Sequence, residues 1–132
     1  MISYTEAPVS LISPEGILSV LFDQYECLSF YYADLHKAFY NARKKEEYKD
    51  LLTDFGFSGS SISPFSRELS LALANMQVAA LSRKNPNMVE YSTTSEFNNT
   101  YKILTENVDP RVIDRVKDMC KFIRDCLNHG DE

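Results

Sequence analysis

Hydrophobic residues recur in steps of three and four along the first half of the chain, which is the spacing of one face of an α-helix. The run begins after Ser13-Pro14, a capping serine followed by a proline that suits the first helical position. Because no glycine or proline interrupts the chain between Ile17 and Phe55, the pattern predicts one long first helix. Unbroken it would measure about 60 Å, so we expect a bend or break near residues 43–47. The seam is formed by Leu18, Leu21, Tyr25, Leu28, Tyr32, Leu35, Phe39 and Ala42.

Three further helices are predicted in the second half. One begins at Ser63-Pro64 and ends at Asn85-Pro86-Asn87. It is apolar over much of its circumference and is expected to be the central element. A short helix follows the capping box of Thr93 and Glu96, and a last helix begins at Asp109-Pro110.

The absence of a convincing strand pattern predicts an all-α fold, a helical bundle of four main helices. The length of 132 residues corresponds to one domain, so residues 1–132 are expected to form a single helical domain. Within it, residues 1–12 are expected to be an N-terminal tail. The Gly- and Ser-rich segment 56–63 is expected to be a flexible loop.

Composition and charge narrow the classes of function. The net charge of −5 argues against a general nucleic-acid binder, because that affinity comes mainly from Lys and Arg neutralising phosphates. The chain shows no signal-peptide pattern and no apolar run long enough for a bilayer, so we expect a cytoplasmic protein without a membrane partner. An odd number of cysteines, three, agrees with a reducing compartment. No motif indicates a cofactor or a metal site, and we expect neither.

The C-terminal segment Arg124-Asp125-Cys126-Leu127-Asn128-His129 carries the one short motif with chemical meaning. It resembles the R-polar-x-x-x-H motif of the HEPN-domain family, whose members are all-α. The resemblance covers six residues. It implies a metal-independent endoribonuclease that acts as a dimer. Arg124 would hold the scissile phosphate, His129 would act as acid or base, and Asp125 would orient them. Without that activity, the same residues would belong to an ordinary helix end. Positively charged side chains are favourable in the last turns of a helix, and the final residues of the segment would terminate it.

Binding to another protein is the function that the sequence favours, with the ribonuclease as the alternative. The chain has eight Tyr and eight Phe, and the cluster Phe30, Tyr31 and Tyr32 is too wide for one seam. The partner is expected to be a second copy of the chain or a larger protein of the adaptor, chaperone or regulator type. RNA would be a partner only under the alternative. The rings expected to contact the partner lie off the seam: Phe22, Phe30, Tyr31 and Tyr40.

A second resemblance illustrates this binding class. Ser13-Pro14 and the residues that follow, Ile17, Leu18, Leu21, Phe22 and Asp23, look like the start of the first helix in flagellin export chaperones. The likeness implies a bundle that lays a partner segment against its own apolar grooves. His36, the other histidine of the chain, is expected to be a satisfied or exposed helix residue.

Overall fold

The structure of the protein is a computed structural model. It describes residues 11–79, 81–84 and 89–129, with the backbone alone for 81–84, 89 and 129. The described residues form five α-helices: α1 (Pro14–Gln24), α2 (Tyr32–Arg43), α3 (Arg67–Ala79), α4 (Phe97–Thr105) and α5 (Pro110–His129). They also form five short strands: β1 (Cys27–Phe30), β2 (Ser58–Gly59), β3 (Pro64–Phe65), β4 (Leu81–Lys84) and β5 (Val89–Thr93).

The strands make two small antiparallel sheets. In the larger sheet the order is β1-β5-β4, so the strand that comes last in the chain lies in the middle. Leu28 of β1 pairs with Tyr91 of β5, and Arg83 of β4 pairs with Tyr91 from the other side. The smaller sheet is the hairpin of β2 and β3, in which Ser58 pairs with Phe65.

The core lies between the helices and one face of the larger sheet. Tyr91 is fully buried and its ring stacks on that of Phe30 at 5.6 Å, with Phe22 edge-on at 6.2 Å. The inner faces of α1, α2, α3 and α5 close around these rings. Their buried residues include Ile17, Leu21, Leu35, Phe39, Leu69, Leu73, Met76, Val116, Met119 and Ile123.

The prediction of an all-α four-helix bundle is wrong, because the domain mixes five helices with two sheets. The predicted first helix ends at Gln24, gives way to β1, and resumes as α2 at Tyr32. The helical pattern did not reveal this strand, because Leu28 fits both the spacing of a helix and that of a strand. It falls in the three-and-four series, and it also alternates with the exposed Cys27 and Ser29 as a half-buried strand requires. Pairing with β5 decides between the two.

The second predicted helix is also shorter than its pattern. The structure begins α3 at Arg67 and ends it at Ala79, and β4 follows directly. Residues 64–65 and 81–84, expected to be helical, are strands because each pairs with a neighbouring strand. The expected stop at Asn85-Pro86-Asn87 lies outside the described residues. The segment 56–63, expected to be a loop, contains β2.

The expected starts of the first and last helices agree with the structure. Ser13 caps α1 through a hydrogen bond that its hydroxyl accepts from the N–H of Gly16 at 3.0 Å. Asp109 precedes α5, and its carboxylate accepts the N–H of Arg111 at 2.8 Å. No helix among residues 11–79 and 89–129 combines the length and the apolar character that crossing a bilayer demands.

Candidate functional site

One face of α2 lines two pockets, and these form the candidate site. Successive residues of this face are three or four positions apart in the sequence, as neighbours on one face of a helix are. We call them the α2 stripe: Tyr32, His36, Tyr40, Arg43 and Lys44. The hairpin of β2 and β3 packs beside the stripe. The ring of Phe65 stacks on His36 at 4.8 Å, and the ring of Phe57 meets Tyr40 edge-on at 5.5 Å.

The first pocket lies at the N-terminal end of the stripe and has a volume of about 440 Å³. It is open to solvent and mostly apolar. Tyr32 forms one wall, and its hydroxyl shares a hydrogen bond of 2.7 Å with that of the core residue Tyr91. Phe65 forms the opposite wall and is 49% exposed. The remaining lining residues are Ala33, His36, Ser63, Pro64 and Ser70.

His36 lies at the floor of this pocket and is hydrogen-bonded through both ring nitrogens. Its Nδ1 accepts the backbone N–H of Ser66 at 2.9 Å, and its Nε2 lies 3.3 Å from the hydroxyl of Ser70. Because Nδ1 faces a donor, the hydrogen of the neutral ring lies on Nε2 and is donated to Ser70. Burial disfavours the charged ring and lowers the pKa of His36.

This arrangement holds Ser70 as a binding group rather than as a nucleophile. To take a proton from Ser70, Nε2 would need a free lone pair, and the hydrogen would then have to sit on Nδ1 against the N–H of Ser66. None of the carboxylates that the structure describes is hydrogen-bonded to His36 to favour that tautomer. Ser70 accepts from the ring and keeps its own hydrogen for a ligand.

The local sequence explains how these groups are positioned. Ser66 caps α3, because its hydroxyl accepts the N–H of Leu69 at 3.3 Å, and this cap orients the backbone N–H that meets His36. Gly59 has a φ of +86°, a conformation that L side chains rarely adopt, and it lets the hairpin close. Glu68 accepts the N–H of Gly56 at 3.0 Å and joins α3 to the entry of the hairpin.

The second pocket lies at the C-terminal end of the stripe and has a volume of about 480 Å³. Its lining consists of Tyr40 and three cations, Arg43, Lys44 and Lys49. The Nζ of Lys44 lies 4.8 Å from the centre of the Tyr40 ring, and the guanidinium carbon of Arg43 lies 5.9 Å from that of Phe57. These cation–π contacts hold the two charges at the rim of the pocket.

The four rings expected to contact a partner lie in different environments. Phe22 and Phe30 are buried in the core at 0% and 3% exposure, so they form no part of the surface of this chain. Tyr31 is 51% exposed at the start of α2, and Tyr40 belongs to the α2 stripe. Phe22 and Phe30 lie off the helical seam because the sheet, not a partner, covers them. Contact of Tyr31 and Tyr40 with a partner stays a prediction.

The expected catalytic residues lie on α5, the last helix of the chain. Arg124 and Asp125 are exposed on α5, and the guanidinium carbon of Arg124 lies 4.8 Å from the centre of the Tyr25 ring. The backbone of α5 continues as helix to His129, whose side chain is not described. Positions five apart on a straight helix lie about 140° apart around its axis, so positions 124 and 129 of one α5 fall on different faces of the helix. The ribonuclease hypothesis therefore still requires a second chain.

Sequence reasoning missed most of the first pocket. Ser63-Pro64 is predicted to begin a helix that includes Phe65 and Ser70, so neither β3 nor the pocket beside it is expected. The one useful signal was the combination of Gly59 with Pro64 five residues later, because both residues are frequent where the chain turns.

Three comparisons with known proteins found no similar protein from which a function could be inferred. No family model, no curated protein and no solved structure matches the chain.

Proposed function

We propose that this protein is a binding module that takes an apolar side chain of a partner protein into the first pocket of the α2 stripe. The observation that carries the proposal is the combination of an open apolar pocket with a fixed polar pair at its floor. Apolar walls with a few convergent polar groups are typical of binding sites, and the polar groups set the orientation of the ligand.

The geometry of His36 and Ser70 favours binding over catalysis. A catalytic serine needs a base with a free lone pair, and His36 instead offers a hydrogen to Ser70. The hydroxyls of Ser63 and Ser70 suit the amide groups that accompany an apolar side chain in a polypeptide. The exposed rings that line the pocket, Phe65 and Tyr32, extend the apolar contact to the residues that flank the anchor.

A protein partner agrees better with the openness of the pocket than a small molecule does. Small ligands usually bury most of their surface in a cleft, whereas this pocket faces solvent and continues into exposed apolar residues such as Ile62, which is 80% exposed. Burying one apolar anchor contributes about 1.5–3 kcal/mol, so further contacts along α2 are needed for a stable complex.

Filling the pocket tests the proposal. Ala33 lies on the exposed side of α2 and lines the pocket, so Ala33→Phe places a ring where the anchor would bind. We would first sort random displayed dodecapeptides on the wild-type protein and label the enriched peptides. Fluorescence anisotropy should then show affinity at least about tenfold lower for Ala33→Phe, equivalent to losing roughly 1.4 kcal/mol of binding.

Asn99→Phe is the matched control, because it adds the same ring to an exposed position of α4. It should leave the affinity unchanged. Equal weakening by both variants would mean that the effect is not local to the pocket. Binding that survives in Ala33→Phe would place the contact elsewhere and refute the proposal, as would the failure of any peptide to be enriched.

A further inference from the structure

We infer that the partner segment is acidic as well as apolar, and that its carboxylates bind the cations of the second pocket while its anchor fills the first. This inference rests on the proposed function. Both pockets lie on the same face of α2, so a single segment laid along that helix reaches both.

The second pocket has a charge opposite to that of the chain as a whole. The chain has a net charge of −5, yet the pocket is lined by Arg43, Lys44 and Lys49, and no carboxylate belongs to its lining. Elsewhere on the described surface, Arg111 and Arg115 form ion pairs with aspartates. The three cations of the pocket form no such pair with any described residue, so their charge remains available to a ligand.

The surroundings also fix where these charges lie. Lys44 rests over the ring of Tyr40, and Arg43 rests over the ring of Phe57. Lys49 begins the 3-10 helix that follows α2 and approaches from a different segment of the chain. Three cations converging from two segments form a concave patch that suits carboxylate groups.

The distance between the pockets sets the spacing in the partner. Seven residues separate His36 from Arg43, which corresponds to about 10 Å along the axis of α2. An extended peptide covers that distance in about three residues. The expected recognition pattern is therefore an apolar anchor with Asp or Glu centred about three positions away.

Aromatic rings and cations are also the groups that bind single-stranded nucleic acids, and the stripe has both. Two observations nevertheless favour a polypeptide. Nucleic-acid affinity depends on a broad basic surface, whereas this patch has three cations in a chain with a net charge of −5. The polar floor formed by His36 and Ser70 is recessed in a pocket of about 440 Å³ and is therefore not a flat stacking surface.

The test is a peptide selection with charge-reversed variants. Random displayed dodecapeptides are sorted in parallel on the wild-type protein, on the double variant Lys44→Glu, Lys49→Glu, and on the control Lys102→Glu, Lys121→Glu. All four lysines are exposed, and both double variants change the net charge equally. The wild type and the control should enrich an apolar anchor with acidic residues about three positions away, and the first variant should keep the anchor and lose the acidic preference.

Affinity measurements on an enriched peptide make the test quantitative. The reversal at Lys44 and Lys49 should weaken binding roughly tenfold at low salt, because like charges then face each other. Exchanging the acidic residues of the peptide for lysine should restore binding to this variant and not to the wild type. The affinity of the wild type should fall as salt is added, since these charges lie at the surface.

Four outcomes would overturn the inference. An anchor enriched without acidic residues would refute it and leave the proposed function standing, whereas no enrichment at all would refute both. An acidic preference that survives in the variant would place the carboxylates elsewhere. Tighter binding of a labelled oligouridylate than of the peptide, lost in the same variant, would assign the cations to nucleic acid.

Discussion

At the scale of single residues, the site depends on His36 being held neutral. Its Nδ1 receives a backbone N–H, its ring is stacked on Phe65, and burial lowers its pKa. A protonated ring would have a hydrogen on Nδ1 pointing at the N–H of Ser66. Protonation would therefore break the contact between α2 and the start of α3, and would move Ser70 from its place in the pocket.

This predicts a stability that falls below neutral pH. In the unfolded chain His36 takes up a proton near pH 6.5, whereas the folded protein resists until its lower pKa is reached, so stability is lost as the pH drops through this window. For one titrating group the loss is at most about 1.4 kcal/mol per pH unit. Urea unfolding between pH 7.5 and 5.5 measures it.

The variant His36→Asn isolates the effect, because its amide oxygen still accepts a hydrogen bond but does not titrate. Its unfolding free energy should be nearly flat over the same range. His129 is present in both proteins and cancels in the comparison. An equally steep slope in the variant would show that another group is responsible.

At the scale of elements, the hairpin of β2 and β3 is the part of the site that is most sensitive to substitution. It has two paired positions, and it supplies Phe65 and Pro64 to the first pocket. Gly59 closes it in a backbone conformation with positive φ, and an added Cβ would lie 2.7 Å from the carbonyl oxygen of Ser63.

Gly59→Ala should therefore destabilise the protein by about 1–3 kcal/mol, the range for backbone strain of this kind. It should also lower peptide affinity, since the hairpin walls the pocket. Gly56→Ala is the matched control, because the nearest atom to its Cβ, an oxygen of Glu68, lies at an ordinary 3.6 Å. Thermal unfolding of both variants checks this, and equal melting temperatures would contradict it.

The elements also show what could be predicted from the sequence. Two caps could be predicted because they are local: Ser13 and Asp109 act on backbone groups two or three residues away. The predicted capping box of Thr93 and Glu96 is wrong, because Thr93 belongs to β5 and α4 has no side-chain cap. Strand β1 could not, because Leu28 satisfies the spacing of a helix and of a strand, and β5, more than sixty residues later, decides between them. The first pocket could not be predicted for the same reason, since it brings His36 beside Phe65 and Ser70.

At the scale of the whole molecule, the two candidate activities use different helices. The α2 stripe lies beside the hairpin, whereas Arg124 and Asp125 lie near the end of α5, with Arg124 over the ring of Tyr25. Because neither Arg124 nor Asp125 lines a pocket of the stripe, the two hypotheses can be tested with different substitutions.

For the ribonuclease hypothesis, we predict that a monomer does not cleave RNA, because positions 124 and 129 lie about 140° apart around the axis of α5. Purified wild type and His129→Ala, incubated with RNA in EDTA, should show the same background. Cleavage that disappears in His129→Ala would establish a metal-independent ribonuclease at the C-terminal motif. Sedimentation of the same sample would then have to show a dimer.

The position of β5 in the middle of the larger sheet affects how the protein folds while it is being synthesised. While the chain is being synthesised, β1 and β4 both emerge before the strand that joins them. Until β5 leaves the ribosome, Leu28 and Phe30 have no sheet to cover them and the edge of β1 is open to other nascent chains. Fragments that end before Val89 are therefore expected to aggregate, and chaperones that guard nascent chains should matter most during that interval.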